Sequence, residues 1–335
     1  MMPDGTIVLH DGGVFMLYAD DNVINKLNVE WSALLSIIKS AVQIKNTGDY
    51  CQPLKPYLRY NDYKNRIIAM PAYLGGDVCI AGIKWIASFP DNLKASIPRA
   101  HCTIILNDAL SGIPLAFFNS ARLSVLRTVA VSGAILEAFL ACRGGKLKVG
   151  IIGFGPVGKG HYQLINEHFI DRIEEIGMYD IRGIAETDDI FLCRKIPTKI
   201  QNSWEYLYSI SDVVITCTVA STPYIDVKPR DNALLLNISL RDYNSQIYSW
   251  VKNSIIVDDW DEVCRENTDI ENMNKDFGLL KKDTLDMYDV LFKSALTNIS
   301  KSPIMFNPMG LAIFDIAISK YYYQRLLCTG CGVSL

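Results

Sequence analysis

The sequence predicts an α/β protein in which a parallel-sheet domain is inserted into an α+β domain. Three observations predict it. Strand-like and helix-like segments alternate from about Leu136 to Asp259, the pattern of a doubly wound sheet. Residues 1–120 carry hairpin and long-strand patterns instead. At 335 residues the chain exceeds what one hydrophobic core usually serves, so two domains are expected.

The parallel domain begins with Lys148-Val149-Gly150-Ile151-Ile152, an apolar run short enough to be a buried strand. It leads into Gly153-Phe154-Gly155-Pro156-Val157-Gly158. In a dinucleotide-binding turn, Gly153 permits the tight bend and Gly155 lets backbone N–H groups approach a pyrophosphate. Gly158 lets the next helix sit close, and Pro156 suits its first turn, where the missing N–H costs nothing. The helix N-terminus then offers free amides to phosphate. A second strand, Ile176-Gly177-Met178-Tyr179-Asp180, ends in an acid about 20 residues on, as this Rossmann-type fingerprint requires. Asp180 suits ribose hydroxyls and repels a 2′-phosphate, favouring NAD over NADP, whereas Arg182 could pair with that phosphate.

A helix over Ser203–Ile210 and strands over Asp212–Thr218, Ala233–Ile238 and Ser254–Asp258 complete this domain. Strand C-termini face the ligand crevice in such sheets, which places Thr216, Thr218 and Asn237 toward the nicotinamide side. In the other domain, Ile104–Phe118 reads as a hairpin, with strands at Arg66–Pro71 and Ala81–Ile86. Helical patterns cover Asn28–Lys45, Ser124–Cys142 and Gly310–Leu327, the last returning to the first domain. The expected division is 1–130 plus 309–335 for substrate and dimerisation, and 131–308 for the cofactor.

Composition excludes several classes. A net charge of −3 without long single-sign runs points to neither nucleic acid nor an anionic membrane surface. No uninterrupted apolar segment approaches the roughly 20 residues of a membrane span, and Met1–Gly5 reads as neither signal peptide nor anchor. Nine cysteines, mostly scattered singly, fit a reduced, cytoplasmic protein. Cys328-Thr329-Gly330-Cys331 lacks a second ligand pair, and His10, His101, His161 and His168 show no metal-binding spacing, so no metal is expected.

Further motifs surround the Gly-rich turn: Gly82-Ile83-Lys84-Trp85, Leu106-Asn107-Asp108, Leu126-Arg127-Thr128 and Asn307-Pro308-Met309-Gly310 with Asp315. In this order, and over nearly the whole chain, the series resembles the ornithine cyclodeaminase/mu-crystallin family. The stretches Gln52–Arg59, Arg66–Pro71, Pro98–Ala100 and Val257–Trp260 are similar to the branch whose dehydrogenases form 2,3-diaminopropionate for siderophores and peptide antibiotics. The resemblance implies a homodimer joined through substrate domains, a cleft between domains as active site, and NAD as cofactor. It places Lys84, Arg127 and Arg59 on the substrate carboxylate. Thr128, Val157, Ser239 and the residues of the turn and strand ends fall in its cofactor set.

Two departures bear on chemistry. Leu240 stands nearest the aspartate that ornithine enzymes carry after the fourth cofactor-domain strand, leaving Asp242 as the available acid. Ile68 stands where those enzymes hold a second acid, which argues against a diamine substrate. The basic residues Lys55, Arg59, Arg66, Lys84, Arg99 and Arg127 suit a small amino-acid conjugate with several carboxylates, since arginine pairs carboxylates bidentately. Solvated surface charge explains any one of them alone. Lys84 and Asp242 are the acid–base candidates, and a lysine that only pairs a carboxylate is the alternative.

Overall fold

The computed structural model describes residues 16–299 and 302–334; His10 and Met1–Gly5 lie outside them. The chain divides into two compact units, one of residues 1–29, 47–124 and 312–335, the other of 30–46 and 125–311.

The first unit is built on a mixed sheet. Its long strands Arg66–Leu74, Ile80–Ser88 and Ala100–Asp108 run antiparallel, and Pro114–Asn119 closes the hairpin with Ala100–Asp108. Leu17–Asp20 joins the edge parallel to Pro114–Asn119. Alternation along these strands sorts their faces. Met70, Ile80, Lys84, Ile104, Leu106 and Phe118 are buried on one face, and the helix Ala312–Thr329 packs against these strands. Gly82 makes that approach possible: a Cβ there would lie 3.2 Å from Ile316 and 2.4 Å from the carbonyl of Ile105. The other face carries Tyr18, Ile83, Trp85, Ile105 and Phe117, all partly exposed, with Tyr18 and Phe117 stacked at 6.0 Å.

The second unit holds an all-parallel sheet. In spatial order its strands are Thr198–Ile200, Ile173–Tyr179, Leu147–Ile152, Val213–Thr216, Leu234–Asn237, Ile304–Asn307, Ile255–Val257 and Leu285–Asp286. The central strands are buried on both faces, as parallel strands covered by helices must be. The order reverses between Leu147–Ile152 and Val213–Thr216, which makes their C-terminal ends the crevice of the sheet.

Three features depart from the sequence expectation. Ile304–Asn307 is a further strand within the sheet, inserted between Leu234–Asn237 and Ile255–Val257, beyond the strands that the sequence predicts. The strand expected through Thr218 stops at Thr216, because Thr218 turns its hydroxyl to Asp242 and accepts from Ala220 N–H. The helix Trp31–Thr47 groups with the parallel-sheet unit through residues 30–46, where Trp31 Nε1 donates to Glu167 at 2.8 Å and Leu35 packs beside Gly133. The helix Ala121–Ala141 is long and apolar enough to cross a membrane, but 72% of its most apolar window is buried inside the protein.

Candidate active site

The turn between strand and helix follows from its glycines. Gly153 has φ +93°, and a Cβ there would lie 2.7 Å from the backbone of Cys217, so the neighbouring strand end could not come so close. A Cβ on Gly158 would lie 2.1 Å from the carbonyl oxygen of Gly153, which ties the helix Pro156–His168 against the turn. Gly155 caps that helix, Pro156 fills its first turn, and a Cβ at Gly155 would meet nothing within 4 Å. Open space over a helix N-terminus is what a pyrophosphate needs. Val157 accepts from His161 Nδ1 at 2.8 Å, which fixes the imidazole as the Nδ1–H tautomer. Burial holds that imidazole well below its ordinary value, to about 4, against the opposing Val157 bond.

Asp180 follows the second strand and turns back to the first glycine loop, where Oδ2 accepts from Phe154 N–H at 2.8 Å. Arg182 holds it through its own N–H and its guanidinium. Burial alone would raise this carboxyl, but the Arg182 bonds and the Phe154 N–H together keep it below the usual carboxylate range.

The strand ends Thr216 and Asn237 are fully buried. Asn237 Nδ2 donates to Asp269 and to Asn307, each at 2.8 Å, and Oδ1 accepts from Leu240 N–H at 3.1 Å and Thr216 Oγ1 at 3.3 Å. Its amide is saturated by protein, so it ties three strand ends together instead of offering a group to a ligand. Thr218 and Ser239 are partly exposed, and both donate to Asp242, Thr218 at 2.5 Å. Asp242 is itself fully buried, and burial raises its carboxyl despite those hydroxyl bonds. Leu240 takes φ +63°, a strained conformation for a side chain of this kind, in the turn carrying both Ser239 and Asp242. Asp269, which the sequence reading did not single out, is also buried; burial lifts it to about 7 over the opposing Asn237 and Tyr243 N–H bonds.

Arg127 is 7% exposed in the helix Ala121–Ala141, one residue before Thr128. Its guanidinium lies against Gly310, where a Cβ would fall 2.3 Å from Nη1, and Gly310 has φ +82°. Asp258 holds that glycine turn by accepting from Met309 N–H at 3.0 Å and Gly310 N–H at 2.7 Å. The two motifs Val257–Trp260 and Asn307–Gly310 are thus halves of one hydrogen-bonded unit.

In the first unit Lys84 is buried and its Nζ donates to Asp315 at 2.9 Å and to Ser124 at 2.8 Å. Its partner is therefore a carboxylate of the protein itself, whereas the resemblance sets it on a carboxylate of the substrate. A lone acid inside the apolar run Ala312–Ile318 was the signal that a buried cation waits opposite. Arg59 and Arg66 converge on the Tyr57 ring, at 4.8 and 6.0 Å from its centre. Arg99 directly precedes the strand Ala100–Asp108, and its carbonyl accepts from Phe89 N–H.

The family model described as ornithine cyclodeaminase/mu-crystallin family matches residues 15–330. The chain belongs to this family. Among its members, N-((2S)-2-amino-2-carboxyethyl)-L-glutamate dehydrogenase of Staphylococcus aureus is 33% identical over 96% of this chain and 98% of its own. The Thermococcus litoralis Delta(1)-pyrroline-2-carboxylate reductase, solved with NADH and L-proline, superposes with a TM-score of 0.82 at 23% identity, covering 96% of this chain and 100% of that one. An archaeal alanine dehydrogenase dimer with bound NAD gives a TM-score of 0.81 at 23% identity, over 96% and 99%. The family fold is thus matched end to end.

Proposed function

We propose that this family member oxidises N-(2-amino-2-carboxyethyl)-L-glutamate with NAD and water, giving 2-oxoglutarate, L-2,3-diaminopropionate and NADH. The carrying observation is the full-length 33% identity to the Staphylococcus aureus dehydrogenase. The coarser statement, an NAD-dependent oxidoreductase of amino or imino acids, rests also on the turn Gly153–Gly158 with Asp180 and on the family membership.

Gly153, Gly155, Pro156, Val157, Gly158 and Asp180 hold the dinucleotide, with Thr128, Thr218 and Ser239 completing its seat. NAD supplies the hydride acceptor for the Cα of the secondary amine, and hydrolysis of the resulting C=N bond releases keto acid and amine. Arg127 pairs a substrate carboxylate, and Arg59, Arg66 and Arg99 meet the remaining carboxylates. Lys84, held at Nζ by Asp315 and Ser124, orients the amino-acid end and holds a proton for the amine or the attacking water. Asp242 acts through Thr218 and Ser239, because both its oxygens are engaged and it is out of solvent. Thr216 and Asn237 brace the strand ends beneath that seat.

The substrate domain, 1–130 plus 309–335, also makes the homodimer, and 131–308 makes the cofactor domain. The partly exposed apolar sheet face with Ile83, Trp85, Ile105 and Phe117 supports a partner copy better than an open sheet edge does. Nine free thiols support a cytoplasmic location, and the product supports a place in siderophore biosynthesis.

Incubation with NAD and the conjugate, followed by mass spectrometry, tests the reaction. NADH, 2-oxoglutarate and diaminopropionate in equal amounts are expected. Proline formed from ornithine without net NADH, and nothing from the conjugate, would hand the assignment to a cyclodeaminase-type lyase. Oxidation of another amino or imino acid alone would leave only the broader class.

A further inference from the structure

Asp180 is the acid on which adenosine ribose hydroxyls settle in this fold, yet its acceptor sites are already full. Oδ2 accepts from Phe154 N–H at 2.8 Å and Arg182 Nη2 at 3.3 Å. Oδ1 accepts from Arg182 N–H at 2.9 Å and Arg182 Nε at 3.2 Å. A carboxylate offers about four lone-pair sites, so these donors leave none open. The two backbone N–H groups belong to the turn itself and stay. The other two bonds come from one guanidinium whose side chain is 65% exposed, beside a carboxylate only 7% exposed. Only that guanidinium can give way.

A cavity of ≈ 230 Å³ adjoins the pair, with Phe154, Lys159, Asp180, Arg182, Ile184 and Asp188 in its lining. Its two cations are each matched to an acid, Arg182 to Asp180 and Lys159 to Asp188. Lys159 stands on the helix and does not touch Asp180, so it is no competitor for the ribose. Arg182 is.

We propose that Arg182 sets the discrimination between NAD and NADP by exchanging partners. It yields its two side-chain bonds on Asp180 to ribose hydroxyls, and once released it is the lining cation that pairs with a 2′-phosphate. The inference rests on reading Gly153–Gly158 with Asp180 as the dinucleotide site. It carries an unusual sign: one arginine opposes the unphosphorylated cofactor and supports the phosphorylated one. Exposed ion pairs are weak, so removing this competitor strengthens NAD binding only modestly, about two- to fivefold. A guanidinium–phosphate pair is charge-assisted and bidentate, so its loss weakens NADP by about tenfold or more.

Isothermal titration of NAD and NADP into the full-length wild type, Arg182→Ala and Arg182→Lys reads both arms without any turnover. Arg182→Ala retains the backbone N–H on Asp180, so the turn keeps its anchor. We expect Arg182→Ala to bind NAD more tightly and NADP more weakly, with Arg182→Lys recovering part of the NADP affinity. NAD affinity unchanged or reduced in Arg182→Ala, or NADP affinity unchanged, overturns the partner exchange while leaving the dinucleotide site intact. A wild type that binds neither cofactor overturns the site reading and the inference with it.

Discussion

Arg127 keeps its place because residue 310 has no side chain. Gly310→Ala would add a Cβ within 2.3 Å of Nη1 at φ +82°, so the guanidinium must move and the backbone is strained by about 1–2 kcal/mol. We expect KM for the conjugate to rise about tenfold with NAD affinity unchanged, equivalent to about 1.4 kcal/mol; steady-state kinetics and cofactor titration check both halves. Arg127→Ala should cost more, about 2–5 kcal/mol, since a substrate carboxylate is left unpaired in a desolvated site. Lys84 divides two roles by kinetics: Lys84→Ala lowers kcat more than it raises KM if Nζ transfers a proton, and mainly raises KM if it only binds carboxylate. For the cofactor, Asp180→Ala should weaken NAD and relax discrimination against NADP, and a wild type preferring NADP would contradict the assignment.

At the scale of elements, the antiparallel sheet presents two apolar faces and the long C-terminal helix covers one. Lys84 points to that helix, so its neighbours Ile83 and Trp85 must point the other way. Trp85 is 42% exposed on this partly exposed apolar face, which makes it the position where the proposed partner copy is tested. Light scattering at micromolar concentration should give a dimer mass for the wild type and a monomer mass for Trp85→Glu. A dimeric Trp85→Glu would remove this face from the interface. The parallel sheet shows how far elements were readable in advance. Leu147–Ile152, the turn and Ile173–Tyr179 are continuous in sequence and each has its own pattern, so they were legible. Ile304–Asn307 was not, because Pro303 and Pro308 bracket its three-residue apolar run and its neighbours in the sheet are distant in the chain.

Across the molecule, two buried titrating groups pull stability against pH in opposite directions. His161 is neutral when folded, with its folded value lowered to about 4 from 6.5, so the unfolded chain takes up the proton first and stability falls as pH drops between those values. Asp269 is raised to about 7 from 3.8, so the folded protein holds the proton longer and stability rises as pH drops through that window. Asp242, raised in the same direction, adds to the second effect. His161 and Asp269 can each contribute on the order of 3–4 kcal/mol at full expression. The expected outcome is a wild-type melting temperature that changes little from about pH 6.5 to 5, because the terms offset one another. Asp269→Asn should fall more steeply toward acid and His161→Gln less steeply; calorimetry across that range decides. An Asp269→Asn profile parallel to the wild type would exclude Asp269 as a source.

What the sequence determined by itself was local and periodic: the Gly-rich turn, the acid at the end of the second strand, the alternating long strands and the basic residues around them. Those patterns hold because glycine spacing, strand alternation and helix capping act over a few residues. Only the tertiary structure decided which polar groups meet. Lys84 and Asp315 are far apart in the chain and come together because a helix near the C-terminus lies on the first sheet. Asp258 and Gly310 join two motifs because Ile255–Val257 and Ile304–Asn307 are neighbouring parallel strands, and Asn237 spends its amide on three strand ends. Burial then changed their chemistry: Asp242, expected as an acid–base group, lies out of solvent with its oxygens held by Thr218 and Ser239 and its carboxyl raised, because desolvation is a property of the packed fold and not of the residue.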